Sequence, residues 1–168
     1  MKQLMALLVT ASLFMTACEK GGDGAQGPMG NADVTVYNYP TQTTSSGSLN
    51  YTLTISKEKL DSSLVLVYYN PSTETSSAWY PVPGIGPTAN YETRYFIYQT
   101  ATTPNSQYTL AVRLTQPANA LVYTGTTTFT KLKIVIAPAS QVLAGGRMAA
   151  PYDVNDYYSV KNYFGLED

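Results

Sequence analysis

Leu64-Val65-Leu66-Val67-Tyr68-Tyr69 is a run of apolar and aromatic residues with no polar interruption. Successive side chains of a β-strand point to opposite faces, so a strand with one wet face alternates apolar and polar. A run that is apolar at every position has two faces to bury, and it reads as the central strand of a sheet covered on both sides. Outward from this run the pattern changes to alternation. Leu49, Tyr51, Leu53 and Ile55 are interleaved with Asn50, Thr52 and Thr54. Tyr108, Leu110, Val112 and Leu114 alternate with Thr109, Arg113 and Thr115, and Leu132, Ile134 and Ile136 with Lys131 and Lys133. Each of these predicts a strand with one face toward a core and one toward water.

The stretches Asn70-Pro71-Ser72, Pro81-Val82-Pro83-Gly84-Ile85-Gly86-Pro87, Thr103-Pro104-Asn105-Ser106 and Gln116-Pro117-Ala118-Asn119 break the ladder with turn-forming residues. About seven short strands with this punctuation predict an all-β fold, an antiparallel β-sandwich, with a small barrel as the alternative. Helical spacing occurs only in Val154 to Phe164, where Tyr157, Val160 and Phe164 share one side. Asp153 or Asn155 is a candidate N-cap, and Gly165 stands where a left-handed residue ends a helix. A short C-terminal helix is therefore expected to dock on the sandwich.

Composition narrows the function. The chain has 168 residues, 12% charged and 44% hydrophobic, with a formal net charge of −1. Such a chain offers no basic surface for a phosphate backbone, so nucleic acid is not an expected partner. It has no His and a single Cys. That removes Ser-His-Asp and Cys-His catalysis and ordinary zinc sites, and no cofactor is expected.

The N-terminus carries an address. Lys2 precedes the apolar run Leu4-Met5-Ala6-Leu7-Leu8-Val9, and small and apolar residues continue to Cys18. This is the layout of a secretory signal, and it is too short for a stable transmembrane helix. Met15-Thr16-Ala17-Cys18 looks like a lipobox, with Met15 in place of the usual Leu. Residues 1–17 are read as a lipoprotein signal peptide and Cys18 as the lipidated first residue of the mature chain. A lone Cys has no disulfide partner in an oxidising compartment. Acyl chains contribute about 0.8 kcal/mol per buried CH₂, so two or three of them hold a soluble domain at a membrane. Residues 18–32 then form a spacer in which Gly recurs at 21, 24, 27 and 30. This is the Gly-X-Y period of collagen, but about three triplets with a single Pro are too few to hold a triple helix. A flexible linker and a monomer, rather than a trimer, are expected. Residues 33–168 are the sandwich domain.

The lipobox, the segment Gly24-Ala25-Gln26-Gly27-Pro28-Met29-Gly30 and the strand Asp33-Val34-Thr35-Val36-Tyr37 that follows together resemble small lipoproteins of the Bacteroidetes with a short collagen-like segment. Asp156, Tyr157, Val160, Lys161, Tyr163 and Phe164 match the Asp-Tyr-x-x-Val-Lys-x-Tyr-Phe helix with which those proteins often finish. The resemblance implies a cell-envelope location, as an outer-membrane lipoprotein facing the periplasm or the surface. It implies no activity.

The 15 Tyr residues are the most unusual feature of the composition. Strand parity sends Tyr51 and Tyr108 to the core, whereas turn-rich segments are where binding residues concentrate. Trp79, Tyr80 and Tyr91 around the Pro81–Pro87 segment are therefore the candidate ligand-binding residues, with Tyr123 beside them. Trp79, the only Trp, has the alternative role of plugging the sandwich. Catalysis would need a carboxylate pair about 5 to 9 Å apart across a cleft. Glu58 and Asp61 sit beside Lys57 and Lys59 in a solvated turn, and Asp153 and Asp156 read as helix-start residues. No pair stands out, so no catalytic residue is assigned. A calcium site at Asp153, Asn155 and Asp156 would lack the Gly and closing Glu of an EF-hand loop, and no metal is expected. The expected function is a non-catalytic interaction module on a lipid tether, glycan-binding or adhesin-like. The alternatives are an accessory subunit of an envelope protein complex and a carboxylate-dependent hydrolase.

Overall fold

The computed structural model describes residues 33–101, 107–138 and 152–167. The expected signal peptide (residues 1–17), Cys18 and the expected spacer of residues 18–32 lie outside them. In chain order the elements are β1 (Thr35–Tyr39), β2 (Gln42–Thr44), β3 (Ser48–Thr54), α1 (Lys57–Asp61), β4 (Ser63–Pro71), β5 (Tyr80–Val82) and β6 (Gly84–Ile85). They continue with β7 (Glu92–Ala101), β8 (Gln107–Thr115), β9 (Thr127–Pro138) and α2 (Tyr157–Phe164). The strands form two antiparallel sheets. One runs β1-β9-β4-β5, with β2 also paired to β9, and the other runs β3-β8-β7-β6. The expected all-β sandwich with a short C-terminal helix is what the chain forms.

The run Leu64–Tyr69 lies in β4, between β9 and β5. Val67 and Tyr69 point into the core between the sheets, where Leu53, Leu110, Phe129 and Ile134 are wholly buried. Leu66 and Tyr68 point the other way, into a second core under α2 with Val135, Tyr157, Val160 and Phe164. At about 1.5–3 kcal/mol per buried aliphatic or aromatic side chain, this second core is what holds a two-turn helix that would not survive alone in water. The Tyr68 hydroxyl also donates to the Val154 carbonyl at 2.6 Å, tying the approach to α2 onto the sheet.

The structure departs from the sequence expectations at three points. The helix begins at Tyr157 and its N-cap is Asp156, whose side chain accepts from the Tyr158 amide. Asp153 instead accepts from the Asn155 amide in a turn just before it. Gly165 does close the helix in the left-handed region, at φ 61°. Second, the Pro81–Pro87 segment is more than a turn. It supplies β5 to the edge of one sheet and β6 to the edge of the other. An edge position is where a strand tolerates Pro81, which has no N–H to offer a further neighbour. Third, Lys133 does not face water. It shares a face of β9 with Val135 and Ala137 and is 4% exposed, beneath α2. The solvated turn at residues 57–61 is one exposed turn of helix, capped by Ser56 and carrying a Lys57–Asp61 ion pair.

The tyrosines explain how the sheets are held in register with each other. On β1, Tyr37 donates to the carbonyl of Thr54 at 2.6 Å and Tyr39 to that of Thr52 at 2.5 Å. Tyr95 on β7 donates to the carbonyl of Val65 at 2.9 Å, just past the end of β5, which pairs only with Val67 to Tyr69.

Candidate functional site

Asn70 lies in the buried part of β4, one residue before its end, and its side-chain amide donates to the carbonyls of Thr75 at 2.8 Å and Ala78 at 2.7 Å. Because Asn70 is itself buried, these bonds fix the loop of residues 72–79 in one shape. The loop delivers Trp79 to the outer face of the β4 sheet, beside α2. From the helix, Tyr158 donates its hydroxyl to the Ser77 carbonyl at 2.7 Å, closing the other side. Between them is a cleft of about 500 Å³ lined by Trp79, Tyr158, Ser76, Ser77, Asn38 and Tyr39, with Lys131, Leu132 and Lys133 of β9.

The floor of the cleft is an aromatic and cationic cluster. The ring centroids of Trp79 and Tyr157 are 4.7 Å apart. The Lys133 ammonium lies 5.5 Å from the Trp79 centroid and 4.8 Å from that of Tyr157, and it donates to the Tyr157 hydroxyl at 2.5 Å. Ring faces carry negative charge density, so this is a favourable place for an ammonium removed from water. Lys131 stands exposed at the rim. The cleft thus offers an indole and a phenol edge, hydroxyl and amide groups, and positive charge, with no carboxylate among the described residues of its lining.

Trp79 is the one of the three candidate aromatics in this cleft, and it does not plug the inter-sheet core. Tyr80, the next residue, has the opposite strand parity. It is half-buried against the inter-sheet core, 5.8 Å from the Tyr69 ring, and its hydroxyl is pushed up by burial and then by the charge of Glu74. Tyr91 is 5% exposed; its hydroxyl accepts from Tyr69 at 3.3 Å and is likewise pushed up, chiefly by burial. Together Tyr91 and Tyr123 border a smaller pocket of about 270 Å³ with Pro71, Thr73, Thr88 and Asn90. The three candidates therefore do not converge on one site.

Tyr158, Lys131, Lys133, Asn38 and Ser77 are not singled out by the sequence. The available signal is Val135 and Ala137 on the face of Lys133, which marks that face as covered. Elsewhere, three of the carboxylates considered for catalysis or calcium are engaged locally: Asp61 with Lys57, and Asp153 and Asp156 with backbone amides. Among the described residues no three acidic or thiol side chains gather as a metal site would need, and no helix is long and apolar enough to cross a membrane.

No protein-family model matches the chain. Nor does any curated protein or any solved structure.

Proposed function

We propose that this chain is a non-catalytic glycan-binding module, held at the bacterial envelope by a lipid on Cys18, and that the cleft beside Trp79 is its binding site. The observation that carries the reading is the half-buried indole of Trp79 set in a concave site with hydroxyl, amide and ammonium groups around it. An indole face stacks on the apolar face of a sugar ring, while hydroxyl and amide groups exchange hydrogen bonds with sugar hydroxyls. The loop and helix that frame the site are already pinned by Asn70 and Tyr158. Little ordering cost is left for the ligand to meet on binding. The lipobox reading of Met15–Cys18 supports the tether.

Thermal unfolding of the full chain in detergent, with a panel of neutral oligosaccharides built from glucose, mannose, xylose or galactose, tests the proposal. A ligand at 100 times its Kd adds about 2.7 kcal/mol and raises the midpoint by several degrees. The shift should disappear in Trp79→Ala and weaken in Tyr158→Phe. A shift that survives Trp79→Ala, or no shift with any sugar, would reject the cleft as a glycan site.

A further inference from the structure

On β7 the run Tyr95-Phe96-Ile97-Tyr98 is as continuously apolar as the run on β4. Tyr95 and Ile97 face the inter-sheet core. Phe96 and Tyr98 face outward, and there, unlike on β4, no described element covers them; they are 47% and 42% exposed. Residues opposite one another in an antiparallel pair share a face. The register therefore lays out the outer surface of this sheet in rows. Arg94, Arg113 and Ser48 form one row, Phe96, Ala111 and Asn50 the next, and Tyr98, Thr109 and Thr52 the third.

Two properties of this surface identify what it would take. The first is its chemistry. Phe96 and Tyr98 lie side by side, centroids 5.9 Å apart and planes within 30°, beside amide and hydroxyl side chains. That is an apolar platform edged by groups able both to donate and to accept hydrogen bonds, as a polyhydroxylated ring requires and an apolar protein patch does not. The second is its charge. The guanidinium of Arg113 lies 5.0 Å from the Phe96 centroid and donates to Asn50 at 3.2 Å, and Arg94 is exposed beside it. Neither has a carboxylate partner among the described residues. Two adjacent guanidinium forks match the geometry of carboxylate or sulfate oxygens. A second copy presenting the same face would bring arginines toward arginines.

We infer that the outer face of the β3-β8-β7-β6 sheet is a docking surface for an acidic polysaccharide. Its sugar rings lie on Phe96 and Tyr98, and its carboxylate or sulfate groups meet Arg94 and Arg113. The inference is independent of the cleft beside Trp79, which opens on the other sheet.

The test is calorimetric titration of the full chain in detergent with polygalacturonate, alginate and chondroitin sulfate, using fully methyl-esterified polygalacturonate as the neutral control. At least one acidic polymer should bind, weaken as salt is raised, and exceed the ester by tenfold or more. Arg94→Gln and Tyr98→Ala should each lower that binding at least tenfold with the thermal midpoint unchanged; both side chains are exposed, so neither variant threatens the fold. Binding by none of the polymers, or equal binding of acid and ester, would overturn the inference. So would binding lost in Arg94→Gln but intact in Tyr98→Ala, which is charge attraction without a sugar platform. Binding lowered by Trp79→Phe and untouched by Arg94→Gln would place the polymer in the cleft instead, and a dimer abolished by Tyr98→Ala without polymer uptake would make a second copy the occupant.

Discussion

The hydroxyl of Tyr39 on β1 donates to the main-chain carbonyl of Thr52 on β3, so the edge strand of one sheet serves the edge strand of the other. Among the described residues β3 pairs only with β8, and an unpaired strand edge is both unsatisfied and a template for aggregation. Tyr37 does the same for Thr54, one step along the strand. Each such bond is worth about 1 kcal/mol net, and the carbonyl left behind loses its partner when the hydroxyl is removed. Tyr39→Phe should therefore lower stability by about 1 kcal/mol, and Tyr37→Phe/Tyr39→Phe by about 2 kcal/mol, read from urea midpoints. The double variant should also self-associate more readily in sedimentation experiments, because it uncovers the β3 edge.

These hydroxyls make the protein sensitive to alkali. Burial, reinforced by Tyr37, pushes the Tyr39 hydroxyl from 10.0 up to about 12, and burial pushes Tyr51, Tyr68 and Tyr69 higher still. A raised folded-state value means that the folded chain keeps protons the unfolded chain has already released. The stabilising contribution is thus complete below pH 10 and is lost as pH rises from 10 through about 12 and beyond. A tenfold difference in proton affinity between the folded and unfolded chain corresponds to about 1.4 kcal/mol for a fully buried group. Water screens the half-buried Tyr39 and makes its share smaller. The urea midpoint should be flat between pH 7 and 9 with respect to these groups and fall steeply between pH 10 and 12. The share of tyrosinate absorbance due to the buried rings should rise in a step that coincides with unfolding, after a smooth rise from exposed rings such as Tyr98 and Tyr158, whereas a single smooth titration of all 15 tyrosines centred on pH 10 would contradict the burial.

Lys133 shows where reading a single strand stops. The β4 run is legible because both of its faces must be buried, and six consecutive apolar residues state that without reference to any partner. On β9 the alternation of Leu132, Ile134 and Ile136 with lysines looks like a wet face. Lys133 is buried because its long apolar stem can lie under a helix while its head meets rings and a hydroxyl. Which helix, and which rings, depends on Tyr157 and Trp79, more than twenty and fifty residues away. The site is half legible for the same reason. Trp79 and Tyr80 are neighbours in sequence, and strand parity sends them to opposite sides of the sheet. The N-cap is obscured by the presence of three good capping residues, Asp153, Asn155 and Asp156, of which only the last immediately precedes the first turn.

Tyr157→Phe tests the Lys133 arrangement. The Tyr157 hydroxyl accepts from a buried ammonium, and hydrogen bonds to charged groups contribute about 1.5–3 kcal/mol. Tyr157→Phe should cost about that much while preserving the ring contact with Trp79. Phe164→Ala removes a fully buried ring from the same core and should cost about 3–5 kcal/mol. Its unfolding should begin with loss of α2, seen as early hydrogen exchange at Val160 and Phe164 before β4 opens.

The proposed lipid tether on Cys18 makes a separate prediction. With Cys18 unchanged the protein should sediment with membranes and be released by detergent but not by salt, because the anchor is apolar. Cys18→Ala removes the sulfur on which the proposed lipid would sit and should leave the domain in the soluble fraction at its normal midpoint. Sedimentation of Cys18→Ala with membranes to the same extent would show that something other than a lipid on Cys18 holds the chain there.

Two glycines separate backbone strain from steric conflict. Among the described residues a Cβ on Gly165 would meet nothing within 4 Å, so Gly165→Ala should bear chiefly the cost of its left-handed conformation, about 1 kcal/mol. At Gly86 an added Cβ would sit 2.4 Å from Cζ of Tyr91, inside the ring that closes that end of the core. Gly86→Ala must displace that ring and should cost more than about 2 kcal/mol. The two costs also differ in how they combine with other changes. Gly165→Ala and Tyr91→Ala share no contact and should add. Gly86→Ala should cost far less in a Tyr91→Ala background than alone, because the ring it collides with is already gone. Strict additivity of Gly86→Ala with Tyr91→Ala in urea unfolding would show that the ring does not rest on Gly86.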